Sequence, residues 1–583
     1  MTTKKIYDKN VYSTQNTNSK GAALQSLFAL QNKKRKKMIT MIHQEMLDLA
    51  KALVEIPSIN GTEGEKDIGQ FLEEYLRNIP YFKMHPEQVI IQELKNDTLN
   101  RRNVFAILLG EKENKGDTLL LHGHTDTVGL EGYGAAKEYA CKPDELEKVF
   151  REMNLPKEVR EDLESGEYMF GRGACDMKSG DAVFLGILKE LSEHPEELAG
   201  NIVVSFNPVE ENLHTGIIEG LDVLEHLKEK YHLHYVMAIN NDYICPLYPG
   251  DEVKTIYTGA VGKLLPCFYI QGKETHVGQC FEGLDASMLA AELVQRIHLN
   301  FDFSDGYEGE YSYPPSVLKI KDLKPWYNVQ TAAEAFVYFN YFVHNSSMEE
   351  ITNQLLKAAE DSFDAVFQRV NEQNKRFCST TGQEYSIYNY DTMVCTYEEL
   401  YKKAEKVADI DENMLQRMVE KQWKEGVDKR EIPIAIIRFL LETAGITKPT
   451  IVLYYAAPYC PHNTLQGEEQ KLIEDIEYLA KKTGEETGDT YRIMKFFPSL
   501  SDSSYLKIDD SKESIGLLVN NFPGFEQLYP VPIDKIQKLN IPAVNFGCYG
   551  KDAHKWTERV HIPYTFGHLP VLLRNTIDYY LKK

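Results

Sequence analysis

The stretch Leu119-Leu120-Leu121-His122-Gly123-His124-Thr125-Asp126 decides the fold. An apolar run of this kind reads as a strand buried on both faces, as in a parallel sheet covered by helices. It runs straight into two imidazoles and a carboxylate. In open α/β sheets, ligands bind beyond the carboxyl ends of the strands, so polar residues there are candidates for chemistry.

Other apolar runs end the same way. The run 201–206 leads into Pro208-Val209-Glu210-Glu211-Asn212, and 235–239 leads into Asn240-Asn241-Asp242. The run 543–547 passes through Gly547 and Gly550 to Asp552-Ala553-His554. A fifth piece, Gly171-Arg172-Gly173-Ala174-Cys175-Asp176-Met177-Lys178, puts a carboxylate in a glycine-rich turn ahead of a helix. A further strand is expected at 103–109, and helical spacing appears at 182–191 and 221–227. Strands alternating with helices predict an α/β domain whose mixed, largely parallel sheet has helices on both faces.

Outward from this centre, Ile39, Ile42, Met46, Leu49 and Leu53 recur at helical spacing and Pro57 follows, so the folded body is expected to start near residue 39. Residues 143–165 read as a helical insertion. From Leu264 the grammar becomes strand, helix, two strands, a helix, then a strand near Tyr385 to Tyr390. Residues 264–391 are therefore expected to form an inserted α+β, ferredoxin-like lid between two catalytic parts, 39–263 and 392–583. The second part would resume the first sheet with the strand 450–455 and carry a charged helical insertion at 393–445. Residues 1–38, with Lys33-Lys34-Arg35-Lys36-Lys37, read as a basic, solvated leader.

The chain of 583 residues carries a formal charge of -23, which disfavours nucleic acid and anionic membranes as partners. Nine scattered cysteines without a CxxC pair fit reduced thiols in the cytoplasm.

The strand ends and the glycine-rich turn together offer two imidazoles and several carboxylates. Such mixed donors suit zinc, cobalt or manganese, zinc being commonest among hydrolases. A carboxylate can bridge two ions, and two ions ~3.5–4 Å apart can activate a shared water. Each piece alone is weak: a histidine at a strand end is usually a satisfied polar residue, and an aspartate in a glycine-rich turn is usually a cap. Their joint order carries the reading.

In that order, His124-Thr125-Asp126, Gly171 to Lys178, Glu210-Glu211, Asp242 and His554 resemble the M20 family of metallopeptidases and deacylases. The resemblance implies a metal pair bridged by Asp176. His124 and Asp242 would complete one site, Glu211 and His554 the other. Asp126 would hydrogen-bond the far nitrogen of His124. Glu210 would take the water's proton and pass it to the leaving amine. His276 resembles the family's lid histidine, which supports the oxyanion, often from a partner subunit; a homodimer through the lid is thus expected. The lid arginine that can clamp a substrate carboxylate has no counterpart in Phe339 to Asn345. His122 is read as a core or supporting residue. Chain length and the stretch His122 to Gly129 resemble a large member of the family associated with arginine utilisation. The expected activity is hydrolysis of an amide bond in a small amino-acid-derived substrate or short peptide. A metal-binding regulatory protein and an ester or carbamoyl hydrolase are the alternatives.

Overall fold

The computed structural model describes residues 44–113 and 116–582, so the basic leader lies outside the described residues. The chain divides into two units. The first takes Met1–Ala260, Thr464–Ile508 and Ile533–Lys583; the second takes Val261–Asn463 and Asp509–Pro532.

The first unit is built on one sheet of eight strands. In chain order these are β1 (Val89–Glu93), β2 (Arg102–Leu108), β3 (Asp117–His124), β4 (Asn201–Asn207), β5 (His234–Asn240), β6 (Lys254–Tyr257), β7 (Tyr491–Met494) and β8 (Ala543–Asn545). Across the sheet they run β1-β2-β4-β3-β5-β8-β6-β7. The middle four are mutually parallel, β4 on β3, β3 on β5 and β5 on β8. Antiparallel pairs flank them, and β7 on β6 is parallel again. The sheet is mixed with a parallel centre.

Burial explains the apolar runs. Every residue of β3 from Thr118 to His124 and all of β4 are buried, so both faces of the central strands are covered. The helices Gly64–Asn78, Lys178–Leu191 and Leu569–Leu581 send Ile68, Leu72, Leu76, Phe184, Leu188, Leu572 and Ile577 into the same core. The parallel register aligns the strand ends, with His124 opposite Asn207 and His122 opposite Asn240. Gly123 lets the start of the helix Lys178–Leu191 seat against β3. A Cβ there would stand 2.3 Å from Asp181 Oδ1. The insertion at 143–165 is two helices, Pro143–Glu152 and Lys157–Ser165, packed on a small core of their own around Phe150.

The second unit departs from the expected boundaries. Its main sheet runs 316–322, 334–343, 266–271, 450–455, 393–396. The strand 450–455 therefore does not resume the first sheet. It pairs antiparallel with 266–271 and parallel with 393–396. All six of its residues are buried, and a uniformly apolar run cannot reveal which sheet it joins. The charged helices Tyr397–Glu405 and Glu412–Lys424 and the apolar helix Ile432–Thr443 belong to this unit too. The expected strand at 385–390 is absent as a strand: the backbone of Tyr388 is bound on both sides by the side chain of Asn371, from the helix Met348–Thr381, in place of a neighbouring strand. Among the described residues no helix is long and apolar enough to cross a membrane.

Candidate metal centre

The carboxyl ends of β3, β4, β5 and β8 deliver their side chains to one place in the first unit. His124, Asp176 and Asp242 form one group whose potential ligand atoms all lie within 4.8 Å of one another; Asp176, Glu211 and His554 form a second. Asp176 belongs to both. Its Oδ1 is 3.1 Å from His124 Nε2 and its Oδ2 is 3.1 Å from His554 Nε2. One carboxylate thus turns one oxygen to each of two imidazoles. Glu211 Oε1 stands 2.9 Å from His554 Nε2. His124, Asp176 and Asp242 are buried, whereas the side chain of His554 is 50 % exposed, so the second group faces solvent.

The electrostatics fit cation binding. Burial pushes the carboxyls of Asp242 and Glu211 up, and the nearby Asp176 charge pushes both further. Burial would lower the His554 imidazole, but Asp176 and Glu211 outweigh it and raise it to about 11. Burial would likewise raise Asp176, yet hydrogen bonds from His124 and His554 hold it well below the usual carboxylate range. Carboxylates crowded in low dielectric repel one another, and divalent cations would relieve that repulsion and keep them ionised. The donor set of imidazole nitrogens and carboxylate oxygens fits zinc, cobalt or manganese.

The turn after β4 sends adjacent glutamates to different groups, Glu211 to Asp176 and His554, Glu210 to His214 and Asp502. Val209 has φ +74°, a left-handed conformation that costs a β-branched residue ~1–3 kcal/mol. That turn is held by Asp126. Its carboxylate accepts from the backbone N–H of Glu210 at 2.9 Å and of Glu211 at 3.1 Å, and from Asn60 Nδ2 at 3.0 Å. It therefore does not hold His124 as the family resemblance implies. Asp126 Oδ1 stands 3.8 Å from His124 Nδ1, and the Asp126 backbone carbonyl is nearer that nitrogen, at 3.1 Å. The carboxylate oxygens are taken by amide donors instead.

The glycine-rich turn is braced from behind. Arg172 and Glu558 form a buried ion pair, with the guanidinium 5.4 Å from the Tyr133 ring centroid. Glu558 also accepts from the N–H of Cys175 at 3.2 Å and of Asp176 at 3.4 Å, fixing the peptide that carries the shared carboxylate. Glu558→Ala would leave Arg172 charged and unpaired in the core, and a loss of ~3–5 kcal/mol is expected. Denaturant unfolding measures it; an unchanged midpoint would contradict this account of the turn.

His122, two residues before His124, joins neither group. Its Nε2 is 3.1 Å from Ser503 Oγ, and burial lowers its pKa to about 3, so it is neutral. His122→Ala is expected to retain full metal content, whereas His124→Ala is expected to lose ion. Equal loss in both, by elemental analysis, would overturn the ligand set. His276 lies in the second unit, exposed, with its Nδ1 accepting from Gly278 N–H at 3.0 Å; the proton is therefore on Nε2. Glu210 is buried beside two residues that sequence reasoning missed, His214 and Asp502. His214 is only four positions on, but Asp502 sits in a serine-rich stretch with no motif of its own. The glycine-rich motif contains Arg172 but assigns it no role, and no motif marks Glu558.

Comparison with known proteins identifies the family and the fold. The family model for peptidase family M20/M25/M40 matches residues 120–424. Protein RocB of Bacillus subtilis (strain 168) is 38 % identical over 539 residues, 92 % of this chain and 94 % of that protein. The uncharacterized protein YqjN of the same organism is 34 % identical over 92 % of this chain and 97 % of its own length. Among solved structures, a tripeptidase from Staphylococcus aureus subsp. aureus Mu50 matches with a TM-score of 0.50 at 16 % identity, over 92 % of this chain and 98 % of that one, a likeness of fold. The chain belongs to peptidase family M20/M25/M40.

Proposed function

We propose that this family member is a dinuclear metal-dependent hydrolase of amide bonds in a small amino-acid-derived substrate or short peptide. The observation that most supports the reading is Asp176, whose two oxygens face two different imidazoles at 3.1 Å each. His124 and Asp242 would hold one ion, Glu211 and His554 the other, and Asp176 both. Two bound divalent ions, zinc by donor type with cobalt or manganese as alternatives, supply an acidified water and polarise the scissile carbonyl. Glu210 takes the water's proton and delivers it to the departing amine nitrogen. The turn held by Asp126 keeps Glu210 and Glu211 in separate roles. His276, with its proton on Nε2, is assigned to the oxyanion from the family resemblance.

An arginine-derived substrate and a cytoplasmic setting extend the same reading. The first draws on the resemblance around His122 to Gly129, the second on nine free cysteines. A homodimer through the second unit is also proposed. The strand Ser316–Asp322 ends its sheet and exposes Leu318 at 54 % and Ile320 at 48 %, an edge open to pairing. Sedimentation should give a dimer that Leu318→Lys/Ile320→Lys weakens; a monomer at micromolar concentration would contradict it.

The test of function is a substrate screen with added zinc, cobalt or manganese. It pits N-acyl-arginines and arginine dipeptides against carbamoyl amino acids and simple esters. Metal-dependent release of the amine from an amide is expected. Turnover of carbamoyl or ester substrates alone would move the chemistry to that class. Tight metal binding with no turnover would favour a regulatory protein.

A further inference from the structure

Behind Glu210 lies a buried group with no part in the proposed hydrolysis. His214 Nδ1 is 3.0 Å from Asp502 Oδ1 and 3.9 Å from Glu210 Oε1. All three residues are buried. The imidazole also packs against Tyr505, ring centroids 5.2 Å apart.

The placement of His214 is built by the backbone. Its N–H donates to the carbonyl of Val209 at 2.8 Å, closing a loop around Glu210 and Glu211. Both ends of that loop are left-handed, Val209 at φ +74° and His214 at φ +54°. Non-glycine residues kept in such conformations cost ~1–3 kcal/mol each and persist where the surroundings over-determine them. Asp502 is equally fixed. It begins a short helical turn, Asp502–Tyr505, whose four residues are all buried. Ser501, the cap of that turn, accepts from Asn240 Nδ2 at 2.9 Å, and Ser503 Oγ meets His122 Nε2 at 3.1 Å. The turn is thereby pinned to the ends of β5 and β3.

Two buried carboxylates, Glu210 and Asp502, share one imidazole between them. Asp502 makes the shorter contact and sets the ring. The same Nδ1, already committed to Asp502, stands 3.9 Å from Glu210 Oε1, so the fixed ring flanks that carboxylate at packing distance. We propose that Asp502 and His214 are a positioning pair that holds the Glu210 carboxylate in its proton-accepting orientation. The proposal rests on Glu210 being the general base. A glutamate has several rotatable bonds, and a displacement of ~1 Å in a catalytic group can lower a rate by roughly a hundredfold.

The test uses the full-length, zinc-loaded protein and the variants His214→Gln, Asp502→Asn and Asp502→Glu, alone and combined with Glu210→Gln. Crystal structures of the zinc-loaded variants give a readout that needs no substrate. Asp502→Asn is expected to rotate the Glu210 carboxylate away from its wild-type position, with both zinc ions in place. On an arginine-derived amide from the panel, His214→Gln and Asp502→Asn should lower kcat roughly ten- to a hundredfold, by the same misplacement argument. KM should stay within about twofold and zinc content should not change, because the pair acts through Glu210 alone. In the Glu210→Gln background either change should add less than about twofold, as expected for residues acting as one unit. Asp502→Glu should recover part of the loss.

Several results would overturn the proposal. A Glu210 side chain that stays put in the Asp502→Asn crystal is one. Losses that multiply in the Glu210→Gln background are another. Zinc content lower by one ion per chain in His214→Gln would mean that the three residues hold a third ion. Should His214→Gln fail to fold, the two Asp502 variants carry the same comparisons. Full activity of Glu210→Gln alone would instead refute the general-base reading, an outcome distinguishable from failure of the pair.

Discussion

Glu210→Gln is expected to leave metal content near wild type while turnover falls by roughly two to four orders of magnitude, the usual contribution of a positioned general base. Glutamine preserves shape and burial but cannot accept the water's proton. Glu210 is buried, and burial pushes its carboxyl well above the ordinary range, an effect that the nearby His124 and His214 oppose. It lies outside both groups that share Asp176. Its neighbour behaves differently: Glu211 Oε1 faces His554 Nε2, so Glu211→Gln should weaken ion binding first and turnover as a consequence. Kinetics alongside elemental analysis separate the two. If the variants exchange phenotypes, the roles are reversed; if Glu210→Gln retains full rate, no proton passes through it.

Asp176→Ala is expected to abolish binding of both ions and all measurable turnover. No other ligand touches both groups, and its two oxygens are directed at different imidazoles. Removal also leaves the backbone N–H of residue 176 on Glu558, so the turn itself should survive. A folded but ion-free protein is therefore anticipated, with the far-ultraviolet circular dichroism of the wild type. Retention of one tightly bound ion would mean that one site is complete without the shared carboxylate.

Much of this was legible in the sequence, for a physical reason. Parallel central strands are buried on both faces, so they read as apolar runs, and polar residues directly after them stand out. His124, Glu210, Glu211 and Asp242 were visible that way. The level at which they meet follows from register, as in His124 opposite Asn207. What was hidden depends on long-range packing. Asp502 meets His214 across 288 positions, and nothing local in Ser501-Asp502-Ser503-Ser504 points there. The partners of Asp126 were hidden because a carboxylate near a histidine is as apt to cap a neighbouring turn as to bind the ring. The strand 450–455 was found as a strand, but its sheet was misread, since a fully apolar segment fits either core. Tyr385 to Tyr390 has the aromatic composition of a strand, yet Asn371 satisfies the backbone of Tyr388 in place of a ladder.

The central claim is that one carboxylate, Asp176, organises two ion sites. Its most direct test is elemental analysis of the wild-type chain, loaded with zinc and then dialysed free of loose metal. Two ions per chain, falling to none in Asp176→Ala and staying at two in Glu210→Gln, is the predicted result. A wild-type ratio of zero under metal-replete conditions, or of one that Asp176→Ala leaves unchanged, would contradict it.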